Sequence, residues 1–429
     1  MTKVAFYTLG CKVNQYETQA MEELFEANGF ETVSFSEPAD FYIINTCTVT
    51  QISDKKSRQI ISRAHSASPS AGIIVTGCYA QRASSELMKL PGVRMVVGTG
   101  NRNEIVELVK TLDSGIEKIN AVRDVRHERE FEPISATKDE KTRAHLKIQD
   151  GCDRYCSYCI IPYARGPVRS RSLKSIGDEL ESLERKGFPE VVFTGIHLMS
   201  FGKDTGTSLK DAIAQADGLT GIRRIRLGSL EPVGLTDEFI DYLAGNSKIC
   251  RHFHLSLQSG SAGVLRRMNR KYSPCDFEDR VNRLRQAMPE CAITTDIIAG
   301  FPGETEEEFA QTLEFVKRIR FARLHVFPYS VRSGTKAAQM PDKIPGPVKH
   351  MRAKELIELG KLLEREYIGQ FVGTRQEVLF EQFKEDHIEG YTGTYIRVRA
   401  GANSDLTGCL RNVFIEGVSE ERLIGSIVD

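Results

Sequence analysis

Three cysteines follow one apolar segment at a fixed and unusual spacing. Cys152, Cys156 and Cys159 form the pattern C-x3-C-x2-C in GCDRYCSYCIIP, directly after the strand-like segment HLKIQD. Thiolates are soft ligands that suit iron–sulfur clusters. Because a cubane has four irons, three thiolates leave one iron open to a further ligand, as catalytic metal sites require. A zinc site is the alternative, but it usually shows two CxxC or CxxH pairs, and this segment has one.

The apolar segments before the motif predict a doubly wound α/β domain over residues 1–112. The strand candidates KVAFYTLG, DFYIINT, GIIVTG and MVVGTG alternate with amphipathic stretches. Helices are predicted at 15–28 and at 58–64, where apolar residues recur at helical spacing. Asn14 and Glu17 resemble a capping box at the start of the first helix.

The rest of the chain predicts two more domains after a linker. Residues 113–140 are charged and poor in apolar residues, as in an interdomain linker. Residues 141–368 contain six strand candidates with helical spacers, which predicts a partial βα barrel closed by a helix at 353–367. Residues 369–429 alternate as β-strands do and predict a small OB-like β-barrel. The fold class is therefore α/β with a carboxy-terminal β domain.

A second set of cysteines lies in the amino-terminal domain. Cys11, Cys47 and Cys78 occur in TLGC, INTC and VTGC, each directly after a predicted strand. Because the carboxyl ends of parallel strands share one edge of a sheet, these residues are expected to meet there as a second metal-binding triad. The alternative is three independent cysteines buried as small apolar residues. The remaining cysteines are expected to be structural: Cys250, Cys275, Cys291 and Cys409.

The barrel motif resembles the signature of the radical S-adenosylmethionine superfamily, with Tyr158 as the aromatic residue before the last cysteine. The resemblance implies a 4Fe–4S cluster that binds and reductively cleaves S-adenosylmethionine. It also implies cofactor contacts at the ends of later strands. The implied residues are Thr194, Gly195, Ser229, Glu231, Gln258, Asp296 and Gly300. For Glu231 and Gln258, the alternative is a hydrogen-bonded polar residue without a cofactor role.

The domain order resembles the methylthiotransferases of that superfamily over essentially the whole chain. The resemblance implies a second 4Fe–4S cluster on the amino-terminal triad and a carboxy-terminal TRAM domain. The start TLGCKVNQYE resembles the branch that modifies N6-threonylcarbamoyladenosine beside the tRNA anticodon. TFGCQMN is typical of the isopentenyladenosine branch, and SLGCPKN of the ribosomal-protein branch. Both reactions remain alternatives, and a non-catalytic iron–sulfur scaffold is a third.

Charge limits how such a chain could hold RNA. Lys plus Arg (58) equals Asp plus Glu (58), so phosphate contacts must come from local basic patches. Patches near the cysteine loops are expected to face one cleft. Their residues are Lys55, Lys56, Arg58, Arg165, Arg169, Arg171, Arg266, Arg267, Arg270 and Lys271.

The last domain is a weaker candidate for RNA binding. Residues 369–429 contain six Lys/Arg and ten Asp/Glu, which makes the domain net acidic. Any RNA contact there must use a restricted face, for which Tyr391, Tyr395, Arg397 and Arg399 are the candidates. An acidic domain fits a basic ribosomal protein better than it fits RNA.

The cysteine content and the first residues bear on compartment and partners. The chain has ten cysteines, which in a reducing compartment favours metal binding over disulfides. The start MTKVAFYTLGC lacks a cleavage site, and no apolar run is long enough to cross a bilayer. We therefore expect a cytoplasmic protein without a membrane partner. The resemblance adds an electron donor, such as flavodoxin or ferredoxin, and a sulfur source.

Overall fold

The amino-terminal part folds as an open parallel sheet between two layers of helices. The computed structural model describes residues 1–113, 116–137 and 142–428. The strands are β1 (Lys3–Thr8), β2 (Glu31–Val33), β3 (Phe41–Thr46), β4 (Gly72–Gly77), β5 (Val93–Val97) and β6 (Ile119–Ala121), all parallel in the order β2-β1-β3-β4-β5-β6. The helices are α1 (Lys12–Ala27), α2 (Gln51–Ala67), α3 (Cys78–Leu87) and α4 (Ile105–Asp113).

The two central strands are covered by helices on both faces of the sheet. Every residue of β3 and β4 is buried, as expected where helices pack on both faces of a parallel sheet. Met21 and Phe25 of α1 pack with Val109 of α4 on one face. Ile61 of α2 and Leu87 of α3 pack on the other. The predicted doubly wound domain is confirmed.

Two local predictions are wrong. The segment 113–140 is not a simple linker, because Ile119–Ala121 pairs with Met95–Val97 and extends the sheet. Residues 114–115, 138–141 and 429, which belong to the predicted linker and domain ends, lie outside the described residues. Asn14 and Glu17 do not form a capping box: Cys11 is the residue directly before α1, and both side chains are buried inside the helix range.

The central part is a partial barrel of six parallel strands. Its strands are β7 (Arg143–Asp150), the short antiparallel β8 (Arg169–Ser170), β9 (Glu190–Gly195), β10 (Arg224–Leu227), β11 (His252–His254), β12 (Ala292–Ala299) and β13 (Arg323–Pro328). They form sheets β10-β9-β7-β8 and β11-β12-β13, which the bridges Ile225–Ile249 and Leu230–Leu255 connect. The six predicted barrel strands are confirmed.

Helices cover the outside of this barrel. They are α5 (Ile161–Arg165), α6 (Leu173–Arg185), α7 (Leu209–Ala214), α8 (Asp237–Gly245), α9 (Ala262–Arg267), α10 (Pro274–Ala287), α11 (Glu306–Ile319), α12 (Lys336–Gln339) and α13 (Gly346–Gly369). Of all the helices described, none is both long and apolar enough to span a membrane.

The amino-terminal domain closes the gap that an incomplete barrel leaves. On the β7 side, Lys147 Nζ lies 2.7 Å from Glu17 of α1. On the β13 side, Arg332 lies 2.8 Å from Asp54 of α2. The first contact lies on β7 and the second lies four residues after β13. Cys11 lines a cavity together with barrel residues, so the cysteine-bearing edge of the sheet faces the barrel interior.

The carboxy-terminal domain covers the opposite end of the barrel. Its strands β14 (Arg375–Lys384), β15 (His387–Thr392), β16 (Arg397–Gly401), β17 (Leu410–Ser419) and β18 (Arg422–Val428) form a closed barrel in the order β14-β15-β16-β18-β17. Arg226 donates to the Thr392 and Gly393 carbonyls, and Arg143 lies 2.7 Å from Glu381. These contacts place it against the amino-terminal ends of β7 and β10.

Candidate active site

The amino-terminal cysteines lie at the carboxyl ends of three neighbouring strands. Cys11 follows β1, Cys47 follows β3 and Cys78 follows β4, and these strands are adjacent in the sheet. Asn14 holds the loops together, because its Nδ2 donates to the Leu9 and Thr46 carbonyls at 2.8 and 3.1 Å. The structure thus brings this predicted triad to one place.

Two glycines allow these loops to approach closely. Gly10 has φ +112°, and a Cβ there would lie 2.8 Å from Cys47 Cβ and 3.2 Å from Cys47 Sγ. Gly77 has φ +93°, and a Cβ there would lie 2.3 Å from the Thr46 carbonyl oxygen. A side chain at either position would force the cysteine-bearing loops apart.

The thiols of this triad differ in exposure. Cys11 is exposed, whereas Cys47 and Cys78 are buried. Burial raises the pKa of Cys78 to about 12, against the lowering effect of Arg165 and with smaller contributions from Cys47 and Cys11. Burial also raises the pKa of Cys47. Neither buried thiol therefore ionises readily by itself, and metal binding is what would hold it as a thiolate.

A buried arginine from the barrel reaches this triad. Arg165 Nε donates to Cys78 Sγ at 3.3 Å. Its Nη1 lies 2.7 Å from Glu17 and 3.1 Å from Asp150, and its Nη2 donates to Asn14 at 2.9 Å. Although burial alone raises the pKa of Glu17, Arg102, Arg165 and Lys147 hold it below its ordinary value.

The ionic network around Glu17 carries surplus positive charge. Among the residues described here, its cations are Arg102, Lys147, Arg165 and Arg169, and its carboxylates are Glu17, Glu132 and Asp150. Arg165, which is one of these cations, contacts the Cys78 sulfur directly. Three thiols beside a surplus cation fit an anionic iron–sulfur cluster, since a buried charge needs a partner.

Three arginines predicted to bind RNA are in fact buried. Arg165 and Arg169 belong to the network around Glu17, and Arg171 lies 2.6 Å from Glu179. The prediction for this segment is wrong because each guanidinium is used by an internal carboxylate and cannot reach a phosphate.

The second triad lies on the loop after β7. Cys159 N donates to the Cys156 carbonyl at 2.9 Å, so the two cysteines share one tight turn. Burial raises the pKa of Cys152 to about 11 and that of Cys159 to about 12, and Cys156 adds to both shifts. The three cysteines therefore belong to one short loop.

Arg270 contacts a cysteine sulfur of this triad, as Arg165 does in the first triad. Its Nη1 donates to Cys156 Sγ at 3.2 Å, and its Nη2 lies 2.9 Å from Glu231. The prediction that Arg270 binds RNA is therefore wrong, since the guanidinium is enclosed beside the cysteine loop.

The spacing of the cysteines bears on the zinc alternative. A zinc site draws its ligands to about 2.0–2.3 Å from one ion. Across the described ranges 1–113, 116–137 and 142–428, no group of three or more His, Cys, Asp or Glu side chains converges on a point in that way. A cubane differs from zinc in that each thiolate binds a separate iron.

Glu231 is held by basic residues at the cysteine loop. It lies 2.6 Å from Arg154 and 3.1 Å from His197, in addition to Arg270. Burial would raise its pKa, but the hydrogen bond from His197 and the arginine charges lower the pKa to about 2. Glu231 therefore stays ionised and fixes two arginines around the triad.

A cavity of about 970 Å³ lies inside the barrel between the three domains. Cys11 lines it from the amino-terminal domain, and Ile161, two residues after Cys159, lines it from the barrel loop. Four of the residues predicted to contact the cofactor also line it: Thr194, Gly195, Ser229 and Asp296. One triad therefore borders this cavity through Cys11, and the other lies beside it through Ile161.

The other predicted cofactor residues have structural contacts of their own. Gln258 has φ +73°, and its backbone pairs with Asp296 and Ile298. Gly300 has φ +72°, and its N–H donates to Glu304 at 2.8 Å. The ring of Tyr158 packs with Val264, Met268 and Phe301 beneath the cysteine loop. Their roles toward a cofactor stay predictions.

At the end of the cavity nearest the carboxy-terminal domain, sequence reasoning named Tyr391 and Tyr395 but missed the basic residues around them. The rings of Tyr391 and Tyr395 stack there with centroids 4.9 Å apart. Arg226 and Arg143 lie 4.6 and 4.9 Å from the Tyr395 ring, and Lys12 lies 5.8 Å from it. The signal was present in TLGCK, where a lysine directly follows a candidate ligand.

The remaining basic residues fall into two groups. Lys55, Lys56 and Arg58 on α2 are exposed, as are Arg266 and Lys271, so solvent reaches all five. Arg58 also donates to the Tyr79 hydroxyl at 2.6 Å and lies 3.8 Å from Glu86. Arg267 is bound to Glu308 at 2.5 Å. In the carboxy-terminal domain, Glu389 pairs with Arg397 and Arg399 together with Arg422. Those pairings reduce the positive charge of the predicted RNA-binding face.

Two family models match parts of the chain. Residues 3–98 match the uncharacterized protein family UPF0004. Residues 146–316 match the radical SAM superfamily.

Curated relatives match nearly the full length. Threonylcarbamoyladenosine tRNA methylthiotransferase MtaB of Bacillus subtilis is 44% identical, over 97% of this chain and 94% of that protein. The protein of the same name from Aquifex aeolicus is 39% identical, over 92% and 99%. The tRNA-2-methylthio-N(6)-dimethylallyladenosine synthase of Pelotomaculum thermopropionicum is 33% identical, over 90% and 88%.

Solved structures share the fold at low identity. The radical S-adenosylmethionine methyltransferase TsrM from Kitasatospora setae has a TM-score of 0.59 at 18% identity, over 79% of this chain and 77% of that chain. The cobalamin-dependent radical enzyme OxsB has a TM-score of 0.54 at 12% identity, over 85% and 56%. These similarities support the arrangement of a sheet domain beside a partial barrel.

Proposed function

The chain belongs to the radical S-adenosylmethionine methylthiotransferase family, and we propose that it attaches a methylthio group to carbon 2 of N6-threonylcarbamoyladenosine beside the tRNA anticodon. One observation carries the proposal: cysteine loops from two domains border one cavity. A single triad indicates radical chemistry only, whereas a second triad at the same cavity supplies a place for the sulfur to be transferred. Relatives named for this activity support the choice of base.

The two triads have separate roles in this proposal. Cys152, Cys156 and Cys159 hold a 4Fe–4S cluster for S-adenosylmethionine, and the second cluster is held by Cys11, Cys47 and Cys78. When bound, these groups supply the radical chemistry and the sulfur. The protein's own part is to orient and enclose them.

Several side chains carry out that part. Arg270 and Arg165 each place a guanidinium against one cysteine sulfur, at 3.2 and 3.3 Å. Thr194 and Ser229, at the ends of β9 and β10, line the cavity where S-adenosylmethionine is proposed to lie. The amino-terminal domain closes the open side of the barrel, which keeps bulk water from the reacting atoms.

The proposal assigns each domain a task. Residues 1–112 carry the sulfur-donating site, residues 141–368 carry the radical site, and residues 369–429 together with α2 hold the RNA. The exposed cations Lys55, Lys56 and Arg58 are the proposed phosphate contacts. An electron donor such as flavodoxin or ferredoxin and a sulfur source complete the reaction, which we place in the cytoplasm with the tRNA.

Mass spectrometry of reaction products tests the proposal. The protein is reconstituted anaerobically with iron and sulfide, reduced, and given anticodon stem–loop RNAs that carry either threonylcarbamoyladenosine or dimethylallyladenosine. We expect the methylthio product on the first RNA. Product on the second RNA alone would instead favour the dimethylallyl reaction, for which relatives at 33% identity are named. A parallel reaction contains a ribosomal protein in place of RNA. Product in that reaction alone would exclude both RNAs as substrates.

A further inference from the structure

Lys12 extends from the amino-terminal domain into the cavity. It directly follows Cys11, and both residues line the cavity. Its side chain is exposed, and residues of the barrel and of the carboxy-terminal domain line the same cavity. Within the described part of the chain, no carboxylate lies within ion-pair distance of Lys12 Nζ. The centroid of the Tyr395 ring lies 5.8 Å from it.

Two carboxylates near this end of the cavity are already paired with arginines. Glu190 lies 2.7 Å from Arg226 Nε, and Glu381 lies 2.7 Å from Arg143 Nε. Lys12 therefore contributes a positive charge that the surrounding protein does not neutralise. An ammonium group that lines a cavity without an ion-pair partner is stabilised by an anion that enters with a ligand, because the two groups form a charge-assisted hydrogen bond.

We propose that Lys12 binds the carboxylate of the substrate's threonylcarbamoyl group and thereby selects this base over adenosines with an uncharged N6 substituent. The inference rests on the proposed function, because it requires a threonylcarbamoyl base in the cavity. The dimethylallyl group is a hydrocarbon and offers Lys12 nothing to bind.

The chemistry of the base agrees with this placement. Carbon 2 and carbon 6 of adenine both flank nitrogen 1, so the methylthiolation site and the N6 substituent lie on the same edge of the ring. Lys12 and Cys11 are consecutive residues at the cavity wall. A base anchored by its N6 substituent at Lys12 therefore turns carbon 2 toward the triad that contains Cys11.

A carboxylate could come from either of two molecules in this cavity. S-adenosylmethionine also ends in a carboxylate, next to its amino group. The two sources differ in one measurable way, because cleavage of S-adenosylmethionine in the absence of RNA depends only on its own binding. The test therefore measures both reactions.

The experiment pairs changes in the protein with a change in the RNA. Reconstituted wild type, Lys12→Gln and Lys12→Arg are given stem–loops that carry threonylcarbamoyladenosine or its methyl ester. Lys174→Gln removes an exposed lysine on α6 as the matched control. Loss of one charged hydrogen bond predicts a kcat/KM about tenfold to a hundredfold lower for the ester with wild type. Lys12→Gln should lower kcat/KM for the acid by a similar factor, so that this variant no longer prefers the acid over the ester. Lys12→Arg and Lys174→Gln should keep that preference.

Each contrary result has its own meaning. Wild type that treats acid and ester alike, or Lys12→Gln that discriminates as wild type does, overturns the role of Lys12 and leaves the proposed function standing. Slower 5′-deoxyadenosine formation by Lys12→Gln without RNA assigns Lys12 to S-adenosylmethionine and also overturns the proposal. Wild type that makes no product from either RNA, yet cleaves S-adenosylmethionine, removes the proposed function itself.

Discussion

Arg165 Nε lies 3.3 Å from Cys78 Sγ, which joins the barrel loop that begins at Cys152 to the triad on the other domain. Arg165 follows Cys159 by six residues and ends the short helix α5. The same guanidinium is bound by Glu17 and Asp150. One side chain therefore couples the two cysteine sites and the domain interface.

Removal of Arg165 should destabilise the protein and its amino-terminal metal site together. Arg165→Ala leaves Glu17 and Asp150 buried with one partner fewer, a change that costs about 3–5 kcal/mol in comparable sites. Thermal unfolding of the apo-protein and iron content after reconstitution measure the two effects. Arg63→Ala removes an exposed arginine on α2 and should change neither. An Arg165→Ala protein with the unfolding midpoint of wild type would contradict the structural account.

Loss of one cysteine from each triad should separate the two sites. Reconstituted wild type is expected to hold about eight irons per chain, and both Cys78→Ala and Cys156→Ala about four. Cys78→Ala should still cleave S-adenosylmethionine but make no methylthio product. Cys156→Ala should do neither. Iron analysis and 5′-deoxyadenosine measurement distinguish them, and equal loss of cleavage in both variants would refute separate roles.

Acid should weaken the interface between the sheet domain and the barrel. Because Arg102, Arg165 and Lys147 hold the pKa of Glu17 below its ordinary value, the folded state binds its proton less readily than the unfolded state. That stability is complete above the ordinary glutamate pKa of about 4.3 and is lost as pH falls through the lower folded value. The apo-protein should unfold at a lower temperature as the pH falls below about 4.3. This decrease should be smaller in Glu17→Gln, which is already destabilised at neutral pH. Parallel curves for the two proteins would exclude Glu17 as the titrating group.

The exposed basic residues of α2 should contribute to RNA affinity through phosphate contacts. Lys55→Gln with Lys56→Gln should weaken tRNA binding and reduce the slope of log affinity against log salt by about 0.7 per lost contact. Filter binding at several salt concentrations measures the slope. Lys174→Gln should leave it unchanged. An unaltered slope in the double variant would place the RNA elsewhere on the surface.

The sequence was sufficient to predict both triads and the strands that carry them. Strand ends are readable because the apolar run stops at each cysteine-bearing loop, as at Cys47 and Cys78. The side-chain environment of Arg165 was not readable, because Glu17 lies 148 residues away and no local pattern pairs them. Because arginines are almost never fully buried unless paired, the sequence ARGPVRSR favours arginine side chains at the surface.

One local signal for that network was present. Asn14 and Glu17 fall on the face of α1 that also buries Val13 and Tyr16. Polar residues on a buried face require partners, which here come from another domain. Spacing alone suggested a helix cap instead, because the capping box uses the same residue types three positions apart.

The closure of the barrel gap by the amino-terminal domain has a consequence for dissection of the protein. A fragment that contains only the barrel would expose the buried Lys147 and Asp150 of β7 to water. Those surfaces match a sheet edge that the fragment lacks, so the fragment should aggregate rather than fold as a smaller enzyme. The two domains are thus one cooperative folding unit, and a shortened form that makes the radical without the sulfur donor is not accessible by truncation.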